Sequence, residues 1–523
     1  MATAARPADA PGLVERLAAI VGPAHVLTEE VERRFYATDV LRAVEVPLAV
    51  VRPGSVDELA AVVRVAAEAR APVVVRGGGA SYTDGYTHAR PGGVTVDPSR
   101  LKAITVDATN AVVTVEAGVT WAELRDALLP HELRTPFFGP FSGLAATVAG
   151  SMSQHSISHG TGIWGVSAES LVGFDVVTGT GELLSTGTPF FRFYGPDLAG
   201  LFTGDCGAFG IKARVRLKLI RRRPHYEALS FDFARFEALH EAMRRIAVEA
   251  LDDENFGLDA TLQQGQIGRQ KGVAAKADIA ARVWKGEGSL TRGVRTLARM
   301  AVAGEKDLKR ATYAVHYIAE GVTPAEARDR AARIRELAVG QGAVEIPNSV
   351  PTVVRSMPFA PLTNVLGPKG ERWVPFHTLL PHDRVAAFHA ELEAYFAEQA
   401  PVMERFGITS GRMFMSVGPN AFVYEPTFYW PDARSIYHER TVPPDHLAGL
   451  PQYPDNPAAR AEALRMKAEI IALMARHGGA HLQVGRVYPW LASRDAPSRA
   501  LVQAIKAALD PHGILNPGAL GLD

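Results

Sequence analysis

Apolar positions follow two rhythms along the chain. Val56, Leu59, Val62, Val63 and Ala66 recur at helical spacing behind a Ser55/Glu58 capping pattern, which predicts a helix. Pro72 and the β-branched run Val73–Val75 then read as a buried strand. Val94–Val96, Val112–Val115, Val172–Val177 and Ile211–Leu219 read the same way, with a helix capped by Thr120 and Glu123 between them. Past the basic run Arg221–Arg223, a second set of strands is expected at Leu229–Phe233, Val374–Leu380, Met413–Val417 and Phe422–Tyr429. Thr323, Pro324 and Glu326 open a helix among them. A last amphipathic helix through Leu501, Ala504, Ile505, Ala508 and Leu509 stops at Asp510-Pro511, because proline cannot continue it. The pattern predicts an α+β protein of two domains, the second with an antiparallel sheet.

Composition narrows the class. The chain has 523 residues, 47% apolar and 21% charged, with a formal net charge of +0. That balance gives no argument for a nucleic-acid or anionic-membrane partner. No stretch has the length and apolarity of a membrane span or a signal peptide, so a cytoplasmic protein is expected. The single cysteine, Cys206, excludes an internal disulfide and a multi-cysteine metal site. Residues 268–310 are rich in Lys and Arg; a solvated helical face is favoured over a membrane-surface or lid segment.

Four separated segments carry the candidate chemistry. Arg76-Gly77-Gly78-Gly79-Ala80-Ser81 follows a predicted strand, and its glycines let backbone N–H groups turn inward to bind phosphate oxygens, with Arg76 and Ser81 as further donors. The second segment runs from Ala146 and Thr147 to Gly150, then Ser151, Ser153, His155 and the turn Gly160–Gly162. The third is Gly204–Ile211, leading into a strand, and the fourth is Asp510–Gly518. In this order and spacing they resemble the FAD-linked oxidase superfamily typified by vanillyl-alcohol oxidase and p-cresol methylhydroxylase. The tail and Pro53–Leu59 look most like its D-lactate dehydrogenase and glycolate oxidase branch.

The resemblance implies a PCMH-type FAD-binding domain at 1–221, a substrate or cap domain at 222–480, and a segment, 481–523, returning to the FAD domain. It implies that the nest at 77–81 holds the pyrophosphate, with Tyr82 a further cofactor-binding residue. Pro140, Ser142, Gly143, Ala146, Thr147 and Ser151 to His155 would line the flavin and its diphosphate. Gly210 and Ile211 would meet the adenine end, and Asn516 would close the flavin pocket. Many relatives carry a histidine where this chain has Ala80 and bind FAD covalently through it, so non-covalent FAD is expected. No metal is expected, because the His-x-x-Gly-x-x-x-His pattern of metal-dependent hydroxyacid members is not evident.

Catalytic candidates lie in His481–Tyr488, read as a strand, and in the second sheet. His481 could act as a general base, and Arg486 could clamp a phenolate or a carboxylate, with Tyr488 beside it. His377, Tyr424 and Glu425 are the polar groups of the predicted strands, Glu425 as a base with a raised pKa. The expected activity is transfer of a hydride from a hydroxyl-bearing carbon, of an aromatic alcohol or a hydroxyacid, to FAD. Reoxidation would follow by oxygen or an electron-transfer partner, and the resemblance allows a homodimer. The alternative is a non-redox flavin-dependent transferase of the alkyl-glycerone-phosphate synthase type.

Overall fold

The computed structural model describes residues 12–269 and 311–523, without the side chains of 265–269. Most of the basic stretch 268–310 therefore lies outside the described residues. The first region builds two sheets. One has four strands in the order Val26–Leu27, Ala49–Val51, Val94–Val96, Val73–Val75, the last three parallel. The other is antiparallel with five: Ile104–Asp107, Val112–Glu116, Ile211–Lys218, Leu171–Val177 and Leu183–Ser185. Both predicted caps form: Ser55 Oγ accepts from the Glu58 N–H at 3.1 Å, and Thr120 and Glu123 make a reciprocal capping box.

Leu133–Arg134 and Ile220–Arg221 pair as a separate two-stranded ribbon, and the other strands form one antiparallel sheet of eight, drawn from residues 225–430. Its long central hairpin, Thr409–Val417 with Ala421–Trp430, sets the alternation of the two faces. Phe231, Phe414, Phe422, Tyr424 and Phe428 point to one face, under the helices Phe236–Val248, His382–Phe406 and Pro457–Arg476. Phe256, Leu258, Met415, Val417 and Val423 occupy the opposite face, where they meet Phe141, Ile157 and Val166 of the first region. The predicted strand Val374–Leu380 is two strands, Arg372–Pro375 and Thr378–Leu380, broken at Phe376 and His377. Strands Glu254–Asp259 and Tyr313–Gly321 were not expected from the sequence pattern.

The last helix is Ala496–Leu509, and the turn after it returns to the first sheet. The Val73 N–H donates to the Ile514 carbonyl at 2.7 Å, and the Asn516 N–H donates to the Val73 carbonyl at 2.9 Å. Lys506 fixes the turn: its Nζ donates to the Ala208 and Leu515 carbonyls, both at 2.8 Å, and to Asp510 at 2.6 Å. The Asp510 carboxylate also accepts from the Ile514 and Leu515 N–H groups. Asp510→Ala would strand a buried ammonium and two buried N–H groups. It is expected to lower stability by about 3 kcal/mol, read as a fall in the thermal unfolding midpoint.

Candidate functional site

The glycine loop explains itself through close approach. A Cβ on Gly78 would lie 1.9 Å from the Ala145 carbonyl oxygen, and one on Gly77 would lie 2.7 Å from Thr147 Oγ1. Only glycine lets the loop press against the 145–147 segment. The loop's carbonyls are tied back: Tyr86 Oη donates to the Gly79 and Ser81 carbonyls at 2.8 and 3.0 Å, and Tyr437 Oη donates to Gly79 at 2.9 Å. Among the described residues the backbone N–H groups of 77–83 meet no protein acceptor, although those on either side, of Arg76 and Asp84, do. A run of unpaired backbone donors can form a nest for anionic oxygens.

Several expected cofactor contacts are replaced by internal ones. Arg76 turns inward: its guanidinium lies over the Phe35 ring at 4.3 Å and donates from Nη1 to the Phe35 and Thr38 carbonyls. Ser151 Oγ accepts from the Trp121 indole N–H at 2.8 Å, and Ser153 Oγ donates to the Ala149 carbonyl. Thr147 caps the helix Val148–Gln154 by accepting from the Gly150 N–H. Gly210 and Ile211 pack in the five-stranded sheet, where a Cβ on Gly210 would meet Val176 at 2.2 Å. Pro140 accepts from the Gly143 N–H, Ser142 accepts from Ala145 and Ala146, and Gly143 lies beneath the Phe359 ring. His155 sits at a positive φ of 52° with Nε2 buried and unpartnered, and burial lowers its pKa to about 4.

Beside the nest, three distant segments bring polar groups together. Ser81 Oγ donates to Gln483 Oε1 at 3.2 Å, Gln483 Nε2 donates to Tyr82 Oη at 3.4 Å, and Tyr82 Oη reaches Glu425 Oε2 at 3.5 Å. His377 Nδ1 lies 3.9 Å from the same Glu425 oxygen. Burial pushes the Glu425 carboxyl up to about 7 and His377 down to about 3. His481 stacks on Tyr488 with ring centroids 4.0 Å apart and donates from Nδ1 to the His377 carbonyl at 2.7 Å. Tyr488 Oη accepts from the His377 N–H at 2.9 Å.

Two candidates leave this group. Tyr424 faces the helices, where its hydroxyl meets His389 Nδ1 at 2.8 Å, because strand alternation puts it opposite Glu425. Arg486 is no substrate clamp. Its guanidinium donates to the Asp84, Thr87 and Pro517 carbonyls and to Asn516 Oδ1, and Asn516 donates in turn to the Gly85 and Cys206 carbonyls. Residues 481–488 are not a strand, since Gln483 and Gly485 take positive φ of 47° and 54°. Gln483, Tyr86 and Tyr437 were missed as site residues; the proximity of Gln483 to His481 was the only sequence signal for any of them.

Comparison with known proteins bears on this geometry. Residues 47–187 match a family described as the FAD binding domain, and residues 446–520 match the C-terminal domain of FAD linked oxidases. The chain carries an FAD-binding domain. It is 28% identical over 245 residues to an uncharacterised FAD-linked oxidoreductase of Mycobacterium tuberculosis, covering 46% of this chain and 52% of that protein. It is 27% identical over 208 residues to the glycolate oxidase subunit GlcD of Bacillus subtilis, covering 39% and 44%. The chain thus spans about half the length of the curated relatives it matches. In fold it is similar to p-cresol methylhydroxylase with substrate bound, at a TM-score of 0.73 and 17% identity over 98% of this chain and 97% of that one. It is also similar to alkyldihydroxyacetonephosphate synthase, at 0.70 and 14% over 98% and 86%.

FAD is the cofactor, and the site suits it. The N–H groups of 77–83, without acceptors among the described residues, fit a pyrophosphate. No cluster of three or more His, Cys, Asp or Glu side chains suited to a metal occurs among the described residues. No helix among them is long and apolar enough to cross a membrane. Gly78→Val is expected to separate the loop from Ala145 and abolish flavin retention. The purified variant should be colourless while its far-ultraviolet circular dichroism remains that of the parent.

Proposed function

We propose that the protein is an FAD-dependent oxidoreductase that takes a hydride from a hydroxyl-bearing carbon, with Glu425 as the base. When bound, FAD supplies a two-electron acceptor for that hydride. One observation carries the reading: a half-buried carboxyl, raised by desolvation to a pKa of about 7, on the inner face of the eight-stranded sheet and approached by Tyr82 of the glycine loop. The C–H bond would leave with its electron pair, the O–H proton would go to Glu425, and the product would be a carbonyl compound. Residues 222–480 would act as the cap over the flavin, and the tail 481–523 would complete the FAD domain.

The lining favours an uncharged, largely apolar alcohol over a hydroxyacid. Met413, Met415, Val423 and Leu379 share the face of the sheet that carries Glu425. Two arginines of the surrounding segments are engaged, Arg486 by the tail and Arg372 by the Leu41 and Ala433 carbonyls. Burial lowers the pKa of Lys467 to about 8, and its Nζ, without a hydrogen-bond partner among the described residues, also feels Asp39 and Asp84. A substrate carboxylate would meet like charge on Glu425. FAD should be non-covalent, since Ala80 offers no nucleophile and Cys206 is buried with its thiol pushed up to about 12. The fold likeness to alkyldihydroxyacetonephosphate synthase favours a second reading, a transferase in which flavin is not reduced at turnover.

Acid precipitation should release the yellow colour into the supernatant. In an anaerobic screen, uncharged alcohols should bleach the flavin, and glycolate or D-lactate should not. The base must be ionised to act, so the second-order rate of bleaching should rise with pH through about 7 and level off above it. Glu425→Gln should lower the rate by about 10²–10⁴-fold and remove that rise. Catalytic turnover by Glu425→Gln at the parent rate would exclude Glu425 as the base.

A further inference from the structure

His377 carries a buried donor that no other described residue accepts from. The residue lies at the break between strands Arg372–Pro375 and Thr378–Leu380 and is held by three contacts. Its N–H donates to Tyr488 Oη, its carbonyl accepts from His481 Nδ1, and its ring Nε2 receives the Leu482 N–H at 3.0 Å. A backbone N–H can only donate, so Nε2 must present a lone pair. The ring proton of neutral His377 then sits on Nδ1. Burial opposes a second proton.

That Nδ1 is buried and has no hydrogen-bond partner, in a side chain only 3% exposed. Buried donors are rarely left unpaired, because the lost hydration is not recovered. The nearest Glu425 oxygen, at 3.9 Å, is too far for a hydrogen bond. An oxygen atom set between them at hydrogen-bond lengths of about 2.8 Å would subtend roughly 90°. It could accept from Nδ1–H and donate to Glu425 at once, as a hydroxyl oxygen does.

Resting on the oxidoreductase reading, we propose that His377 binds the substrate's hydroxyl oxygen through Nδ1–H while Glu425 receives the hydroxyl proton. His377 is then a donor of fixed tautomer and not a base. Charge that builds on the oxygen as the proton departs and the hydride leaves carbon is stabilised by the Nδ1–H bond. The other titratable groups near His377 are His481, Tyr488 and Lys467, with Tyr82 across from Glu425.

Two measurements on the flavin-loaded protein test this. With ¹⁵N-histidine labelling, and His377 assigned by its loss in His377→Asn, Nδ1 should show a protonated-type shift and Nε2 an unprotonated one, unchanged between pH 5.5 and 9. A titrating ring or the opposite tautomer would overturn the proposal. In anaerobic bleaching by the best uncharged alcohol, His377→Leu should slow the reaction by about 10²-fold. His377→Asn, whose amide can donate from a similar place, should be slowed less, and both should keep the rise through pH about 7. Equal losses in the two variants, no loss in either, or disappearance of the pH rise would also overturn it. If no hydroxyl compound bleaches the parent protein, it is the oxidoreductase reading that fails, and the tautomer result stands apart from that failure.

Discussion

Everything around the nest depends on how one buried cation, Arg486, is satisfied. Its guanidinium spends its donors on neutral oxygens from two parts of the chain: the loop at 84–87 and the tail at 516–517. Asn516 extends the joint to Gly85 and Cys206. Carbonyl dipoles from several directions can hold a buried guanidinium without a single ion pair, provided every one of them is in place. The arrangement therefore fixes loop, tail and the 204–207 turn relative to one another.

On that frame the glycine loop is polarised. Tyr86 and Tyr437 draw its carbonyls to one side, and Arg76, stacked on Phe35, packs beneath Gly79. The N–H groups of 77–83 are left without acceptors among the described residues. Tyr437 comes from the chain that follows the eight-stranded sheet, so the same hydroxyl that shapes the nest ties the two regions together. The Glu425 cluster sits just past the nest, where Tyr82 and Gln483 span the gap to the sheet.

Signals that act within a few residues were legible in the sequence. The capped helices, the β-branched strands, the glycine turns and the Asp510-Pro511 stop all depend on neighbours. Glu425 was legible as a carboxylate in an apolar run. What escaped was set by distant partners. Arg76 looked like a phosphate donor and Arg486 like a clamp because sequence shows a side chain's chemistry but not which carbonyls reach it first. Residues 481–488 alternate like a strand, yet Gln483 adopts a positive φ that is uncommon for a non-glycine residue. Strand Glu254–Asp259 reads as polar, but it is buried because Asn255 is matched by Asp252 and Ser416, and Glu254 by His159.

The contact between Asn516 and Gly85 joins residues 431 positions apart. A ribosome delivers the glycine loop long before its partner. During that interval the loop, the four-stranded sheet and the 204–207 turn must wait without the piece that locks them, while the eight-stranded sheet is made and folds around its own core. Assembly of the nest thus waits on a segment made 431 positions later, and a nascent chain has no finished place for a dinucleotide until that segment emerges.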